Sequence, residues 1–289
     1  MMTYTEPAYA KLNLTLDILG KRDDGYHEMS MVMQSIDLCD TVSITAQNSH
    51  ELALTCNIPY LPCDDSNIAA KAVRRFFEAR GETSPGLAIH LEKTIPSCAG
   101  MAGGSSDGAA VLRILHKIYT PDMPREELEA IGALVGSDVP YCVRGNTALA
   151  QGRGEILTDL PPLPGCFFVV CKPSFPISTP ELFAQVRVKK LRCHPDTKGM
   201  IRALEEKDLE GIAHRVYNVF EDVLPRKYEQ VFEIKRRLLD LGAMTASMTG
   251  SGPTVFGMFP SEATAQNAAQ ELKRDFVSTY CCKNVAPGV

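Results

Sequence analysis

The residues best able to do chemistry in this chain are concentrated in a few short runs. The longest is Ile95-Pro96-Ser97-Cys98-Ala99-Gly100-Met101-Ala102-Gly103-Gly104-Ser105-Ser106-Asp107-Gly108-Ala109-Ala110. It follows Leu87-Ala88-Ile89-His90-Leu91, which alternates as a strand does, and leads into Val111, Leu112, Ile114, Leu115 and Ile118, spaced like a buried helix face. Small residues let backbone N–H groups approach a ligand closely, and a helix start adds unpaired donors at the positive end of its dipole. The guest such a bend suits is a phosphate. No Lys-Ser or Lys-Thr pair follows the glycines and no G-x-G-x-x-G is present, so it is neither the common P-loop nor a dinucleotide fingerprint. A flexible connector capped by Ser105 or Ser106 is the plainer alternative. The length of the run and its place between strand and helix favour the cradle.

Three further places carry reactive groups. Lys11 and Asn13 share one face of an alternating run whose other face is Leu12, Leu14, Leu16 and Ile18. A solvated polar face is the commoner fate of such residues, and nothing local overrules it. Asp138 lies in Gly136-Ser137-Asp138-Val139-Pro140-Tyr141, where Pro140 is expected to keep Val139 out of the helical region and leave Asp138 on an extended turn. There its carboxylate could act in chemistry or simply close the turn. Thr249-Gly250-Ser251-Gly252-Pro253-Thr254 reads as a hairpin turn, though glycines around a serine also let a loop touch a ligand.

The elements that must position these groups can be read in order. Ala8 to Leu19 reads as a strand, Gly20 to Gly25 as a turn, and Met29–Met33 and Val42–Ile44 as two more strands. Ser66 is expected to cap a helix with Ala69, Val73, Phe76 and Phe77 on its face, stopped by Gly81, and Pro124 to open another that ends at Gly136. A hairpin around 147–157 precedes Pro161-Pro162-Leu163-Pro164-Gly165, which is expected to separate a domain of residues 1–160 from one of 161–289. Beyond it the pattern predicts a strand at Phe167–Cys171 and helices opened at Thr179-Pro180 and spanning 208–220 and 228–241. A strand 244–248, strand 254–259, helix 261–274 and strand 276–280 follow. Strands alternating with helices over mostly antiparallel sheets give an α+β fold in each half.

At 289 residues and 45% hydrophobic content the chain can bury two cores, and its net charge of −5 argues against nucleic acid as a partner. No apolar run spans a bilayer and no basic-then-apolar segment opens the chain, so a cytoplasmic protein without a membrane partner is expected. The ten cysteines form no C-x-x-C, and most sit inside apolar runs, as Cys142, Cys166 and Cys171 do, where reduced thiols acting as small core residues are expected.

Ala10-Lys11-Leu12-Asn13-Leu14, Asp24-Gly25-Tyr26-His27, the Gly-Gly-Ser-Ser-Asp run ending at Asp107, Ser137-Asp138-Val139-Pro140, Gly152-Arg153-Gly154-Glu155 and the late 249–254 loop occur in this order. Together they resemble the GHMP superfamily of small-molecule kinases over nearly the whole chain, and within it the branch that phosphorylates a cytidyl-diphosphate sugar alcohol in the non-mevalonate isoprenoid route. Met101, Ala102 and Gly108 stand where that branch more often has Leu, Gly and Ala, and an alanine at 102 argues against a positive φ there.

The resemblance implies a two-domain fold, a left-handed βαβ-type N-terminal domain and a ferredoxin-like C-terminal one with the site in the cleft, and transfer of the ATP γ-phosphoryl to the 2-hydroxyl of a methylerythritol unit. It implies Lys11 and Asp138 as the catalytic pair. Asn67, Lys93, Pro96, Ser97, Ala99, Gly100, Met101, Ala102, Gly103, Gly104, Ser105 and Ser106 would hold ATP, with Ser106 a candidate for Mg²⁺. Tyr26 and Phe183 would sandwich cytosine and His27 would read its edge. Thr179, Pro180, Gly152 and Arg153 would line the pocket, and Asn13 would reach the alcohol. The alternatives are a homoserine- or mevalonate-type kinase, the ATP-using decarboxylase branch, or a non-catalytic nucleotide-binding protein on the same scaffold.

Overall fold

The computed structural model describes residues 2–48 and 51–285. In chain order the elements are β1 (Thr3–Lys21), β2 (His27–Ala46), β3 (Leu52–Cys56), α1 (Ile68–Ala79), β4 (Leu87–Glu92), α2 (Gly103–Tyr119), α3 (Arg125–Val135), α4 (Val139–Arg144), β5 (Thr147–Gly152), β6 (Ile156–Asp159) and β7 (Phe167–Lys172). They continue with α5 (Thr179–Gln185), α6 (Thr197–Glu205), α7 (Leu209–Arg215), β8 (Tyr217–Asn218), α8 (Gln230–Asp240), β9 (Thr245–Met248), β10 (Val255–Phe259), α9 (Glu262–Lys273) and β11 (Ser278–Lys283). The two strands expected within residues 29–44 are one continuous β2.

The chain divides into two compact units, and neither is a linear half. One comprises residues up to Ala10, Leu38–Ser97 and Ala102–Gly145; the other comprises Lys11–Asp37, Cys98–Met101 and Asn146 onward. The proline-rich punctuation at 161–165 therefore lies inside the second unit. The long strands β1 and β2 each leave one unit and enter the other, which no local composition signal marks.

In the first unit, β3 runs parallel to β4 (Leu52↔Leu87 to Cys56↔Leu91), and β4 pairs antiparallel with the end of β2 (Thr41↔Glu92 to Ala46↔Leu87). Helix α1 buries Ala69, Val73, Phe76 and Phe77 and packs on α2, which buries Val111, Leu112, Ile114 and Leu115. Its cap is Asn67, whose Oδ1 accepts the Ala69 N–H at 2.9 Å, one residue beyond the expected Ser66. Around Asp138 the expectation of an extended turn fails: Val139 opens α4, and Pro140 sits in its first turn, where a missing N–H leaves no bond unmade.

In the second unit, β2 pairs antiparallel with β5 (Met29↔Gly152 to Gln34↔Thr147), β5 with β6, and β1 runs parallel to β8 at Thr15↔Tyr217 and Leu16↔Asn218. A four-stranded sheet has the order β11-β7-β10-β9 with every pair antiparallel, and α8 and α9 pack on it. That order, with helices crossing from β7 to β9 and from β10 to β11, is the expected ferredoxin-like arrangement. The helix expected over 208–220 is shorter because the chain leaves α7 at Arg215 to pair β8 with β1, and the last strand starts at Ser278 rather than 276. β3 and α6 carry no pattern that the sequence reading used.

The polar face of β1 is not solvated. Lys11, Asn13, Thr15 and Asp17 are all buried, as are Leu12, Leu14, Leu16 and Ile18 opposite them. Burial requires partners for each polar group, and the Thr15 hydroxyl takes the Val32 N–H at 3.0 Å while Asp17 accepts the Ile18 N–H at 2.8 Å.

Candidate active site

In the first unit the glycine-rich run is set by a buried carboxylate on β2. Asp40 Oδ1 accepts the N–H groups of Thr94 (2.5 Å) and Ile95 (2.7 Å), fixing the chain as it leaves β4 toward Pro96 and Ser97. Lys93, expected among the residues that hold ATP, is instead internal: its Nζ donates to Asp40 Oδ2 and Asp107 Oδ2. Burial pulls the Lys93 ammonium down, but Asp107 and Asp40 together outweigh it and hold its pKa above the ordinary lysine value. Asp107 is pushed up to about 7, chiefly by burial and secondarily by Asp40, against the pull of Lys93. Its second oxygen, Oδ1, has no hydrogen-bond partner among the described residues.

The bend reaches α2 through Ala102 at φ 59, ψ 27, the left-handed region. The expectation from an alanine at this position is overturned: the chain needs the conformation although the residue disfavours it. Ser106 N–H makes the first turn's bond, to Ala102 O at 2.8 Å, so the amides of Gly103, Gly104 and Ser105 come before it as donors without a helical acceptor. The Ser106 hydroxyl donates to the Tyr9 carbonyl at 2.6 Å and the residue is buried, so it does not fit the metal contact expected of it. No group of three or more His, Cys, Asp or Glu suited to a metal occurs among the described residues. Asn67 Nδ2 donates to the Pro62 carbonyl at 2.7 Å. Asp138 is half-buried and flanks α4 without capping it, which leaves its carboxylate uncommitted to the helix.

In the second unit Lys11 is 4% exposed, and its Nζ donates to Asn13 Oδ1 at 2.7 Å. That oxygen also accepts the Gly250 N–H at 2.9 Å, and the Asn13 N–H donates to Thr249 Oγ1 at 3.1 Å. Asn13 is fully buried, its Oδ1 is shared by the Lys11 ammonium and the Gly250 N–H, and it is tied to the 249–254 loop. The two glycine loops touch there. A Cβ on Gly100 (φ +70) would lie 2.3 Å from Thr249 O, and one on Gly250 (φ +56) would lie 2.7 Å from Gly100 O. Ala99 and Met101 are buried on either side, and Met101 O accepts the Lys11 N–H at 3.2 Å.

The same unit holds the residues expected to line a base pocket. The His27 ring stacks on Phe183 with centroids 4.8 Å apart at 24°, and Phe183 meets the edge of Phe220 at 4.9 Å. Burial, then the charge of Lys21, lowers the His27 pKa and favours the neutral imidazole. Tyr26 is 54% exposed and carries the Arg153 guanidinium 4.7 Å above its ring, so it is not paired face to face with Phe183. Glu28 Oε1 accepts the Gly152 N–H at 3.2 Å, and Thr179 Oγ1 and Ser251 Oγ share a hydrogen bond at 2.6 Å beside Pro180 at the start of α5. The sequence reading brought forward neither Asp40 nor Glu28; Asp40 is 53 residues from Lys93, and only the folded chain joins them.

Residues 67–146 match the GHMP kinases N terminal domain and residues 200–278 match the GHMP kinases C terminal description. A Clostridium botulinum protein named 4-diphosphocytidyl-2-C-methyl-D-erythritol kinase is 40% identical over 96% of this chain and 99% of its own length. The chain belongs to the GHMP kinases. A crystal structure titled 4-(cytidine 5'-diphospho)-2C-methyl-D-erythritol kinase superposes on this GHMP kinase with a TM-score of 0.83 at 30% identity, covering 98% of this chain and 100% of that one. L. major mevalonate kinase in complex with R-mevalonate shares the fold, with a TM-score of 0.76 at 17% identity over 100% of this chain and 98% of its own. As a member of the family, the chain is a small-molecule kinase whose phosphoryl donor is ATP.

Proposed function

We propose that this GHMP kinase transfers the γ-phosphoryl group of ATP to the 2-hydroxyl of 4-diphosphocytidyl-2-C-methyl-D-erythritol, a step of isoprenoid biosynthesis. The observation that carries the choice of substrate is the stacked His27–Phe183 pair, with Tyr26 and Arg153 in the same unit as Lys11. A pyrimidine stacks on an aromatic face whatever its identity, and an imidazole edge supplies the hydrogen bond that stacking lacks. A pocket for mevalonate or homoserine has no base to stack.

Phosphoryl transfer through a loose transition state depends on positioning and charge stabilisation more than on a strong base. The amides of Gly103, Gly104 and Ser105 would receive the phosphate oxygens. Lys11, oriented by Asn13, would hold the attacking hydroxyl oxygen and offset charge as the phosphorus–oxygen bond to ADP breaks. Asp138 would take the hydroxyl proton late, as the new phosphorus–oxygen bond forms. Mg²⁺ would enter on the triphosphate and supply charge neutralisation there; Asp107 Oδ1 is the one buried side-chain carboxylate oxygen without a partner among the described residues.

The test is a coupled ATP-consumption assay against alcohols with and without a cytidyl group. Turnover confined to the cytidyl alcohol is expected. Turnover of mevalonate or homoserine in its place moves the chain to another branch, and carbon dioxide released from mevalonate diphosphate would mark the decarboxylase branch.

A further inference from the structure

Among the described residues, the edge of β1 opposite β2 pairs with a strand only at Thr15 and Leu16, beyond Lys11. Residues 7, 9, 11 and 13 turn their backbone groups to the same side, as the period of a strand requires. Each finds a partner outside any sheet: Pro7 O takes Arg113, Tyr9 O takes Ser106, the Lys11 N–H goes to Met101 O and the Asn13 N–H to Thr249 Oγ1. Lys11 and Asn13, Ser106 and the glycine loops already have roles in the reading above. Arg113 does not.

Arg113 lies on α2, beyond the glycine-rich bend, with 22% of its side chain exposed. Its Nη2 donates to the Pro7 carbonyl at 2.7 Å, its Nη1 donates to the Cys142 carbonyl in α4 at 2.7 Å, and its Nε lies 3.6 Å from Glu6 Oε2. Glu6 is held from its other oxygen by Lys117, one turn further along α2. The planar guanidinium can make these bonds at fixed mutual angles, which an ammonium cannot. One side chain on the phosphate-loop helix thus grips the strand that carries Lys11 and the short helix whose N-terminus carries Asp138. Helix α4 runs only from Val139 to Arg144, too short to hold its own place.

We propose that Arg113 is a positioning residue for phosphoryl transfer: it fixes β1 and α4 on α2, and through them the settings of Lys11 and Asp138. The inference rests on the catalytic roles given to those two residues, and its anchoring part can be read without turnover.

The test compares Arg113→Lys and Arg113→Met with the unaltered chain by amide hydrogen exchange and by steady-state kinetics with ATP and the cytidyl alcohol. Exchange over 139–144 is expected to accelerate by about tenfold in Arg113→Met, with α9 and β7 unchanged. The kcat is expected to fall by about tenfold or more while the KM for ATP stays within about twofold. Arg113→Lys, which can reach one carbonyl at a time, should lie between the two in both readings. Unchanged exchange over 139–144, faster exchange with full kcat, or acceleration spread equally over α9 and β7 would each overturn the proposal. An unaltered chain that turns over no cytidyl alcohol refutes the assigned substrate instead, and the exchange comparison still decides whether Arg113 anchors α4.

Discussion

Ala102 and Asp107 show how single residues of the phosphate bend trade local comfort for shape. An alanine in the left-handed region meets its own Cβ against the carbonyl, at about 1–2 kcal/mol, and Ala102 holds φ 59 all the same. Ala102→Gly is therefore expected to raise stability by about 1 kcal/mol after the added freedom of the unfolded glycine is subtracted. Urea unfolding of the variant beside the unaltered chain measures it, and a destabilised variant would mean that the alanine methyl supplies packing that outweighs its strain. Asp107 acts through charge. Its folded pKa, about 7, lies above the carboxylate value near ~3.9 of an unfolded chain, so the folded state binds the extra proton between them. The stability this contributes is fully present below the unfolded pKa and is lost as pH rises through the folded one. Asp107→Asn should accordingly flatten the fall in melting temperature between about pH 4 and about pH 7, and an equally steep fall in the variant would locate the titration elsewhere.

At the scale of elements, β1 explains both what could be read ahead of the structure and what could not. Its alternation at Leu12, Leu14, Leu16 and Ile18 was plain, and so was the strand, bend and helix order through Leu87–Tyr119. The fate of the other face was not, because alternation reports that two faces differ and not that one meets water. Asn13 makes the point: no neighbour within ten residues along the chain reveals that its oxygen will accept Lys11 and Gly250 together, since Gly250 is 237 residues away. Likewise Pro140 was a fair signal of a boundary, yet a proline in the first helical turn leaves no bond broken, and α4 forms around it. Asn13→Ala would leave the Gly250 N–H and the Lys11 ammonium without their buried acceptor, at about 2 kcal/mol of stability. The kcat of the variant that remains folded should fall by at least about tenfold, since the ammonium loses its orientation. Retained kcat in the face of the expected destabilisation would reduce Asn13 to a packing residue.

For the whole molecule, the proposed recognition residues share their compact unit with Lys11, and only Asp138 of the proposed catalytic pair lies in the other. His27, Phe183, Tyr26 and Arg153 belong to the second compact unit and Asp138 to the first, and the family match spans both. With a net charge of −5, the protein must take up two phosphorylated substrates through local donors rather than through its overall field. If the aromatic pocket contributes binding that is equal in ground and transition states, Phe183→Ala should raise the KM of the cytidyl alcohol by the equivalent of about 1–3 kcal/mol of stacking and leave kcat within a few fold. Asp138→Asn should do the opposite, lowering kcat by about a hundredfold with the ATP KM nearly unchanged. Residues without shared partners act additively on free energy. The double variant should therefore show both losses in kcat/KM, their logarithms summing. A double variant no worse than Asp138→Asn alone would mean that the base pocket also sets the reacting geometry, and that remote binding energy is spent at the hydroxyl rather than on affinity.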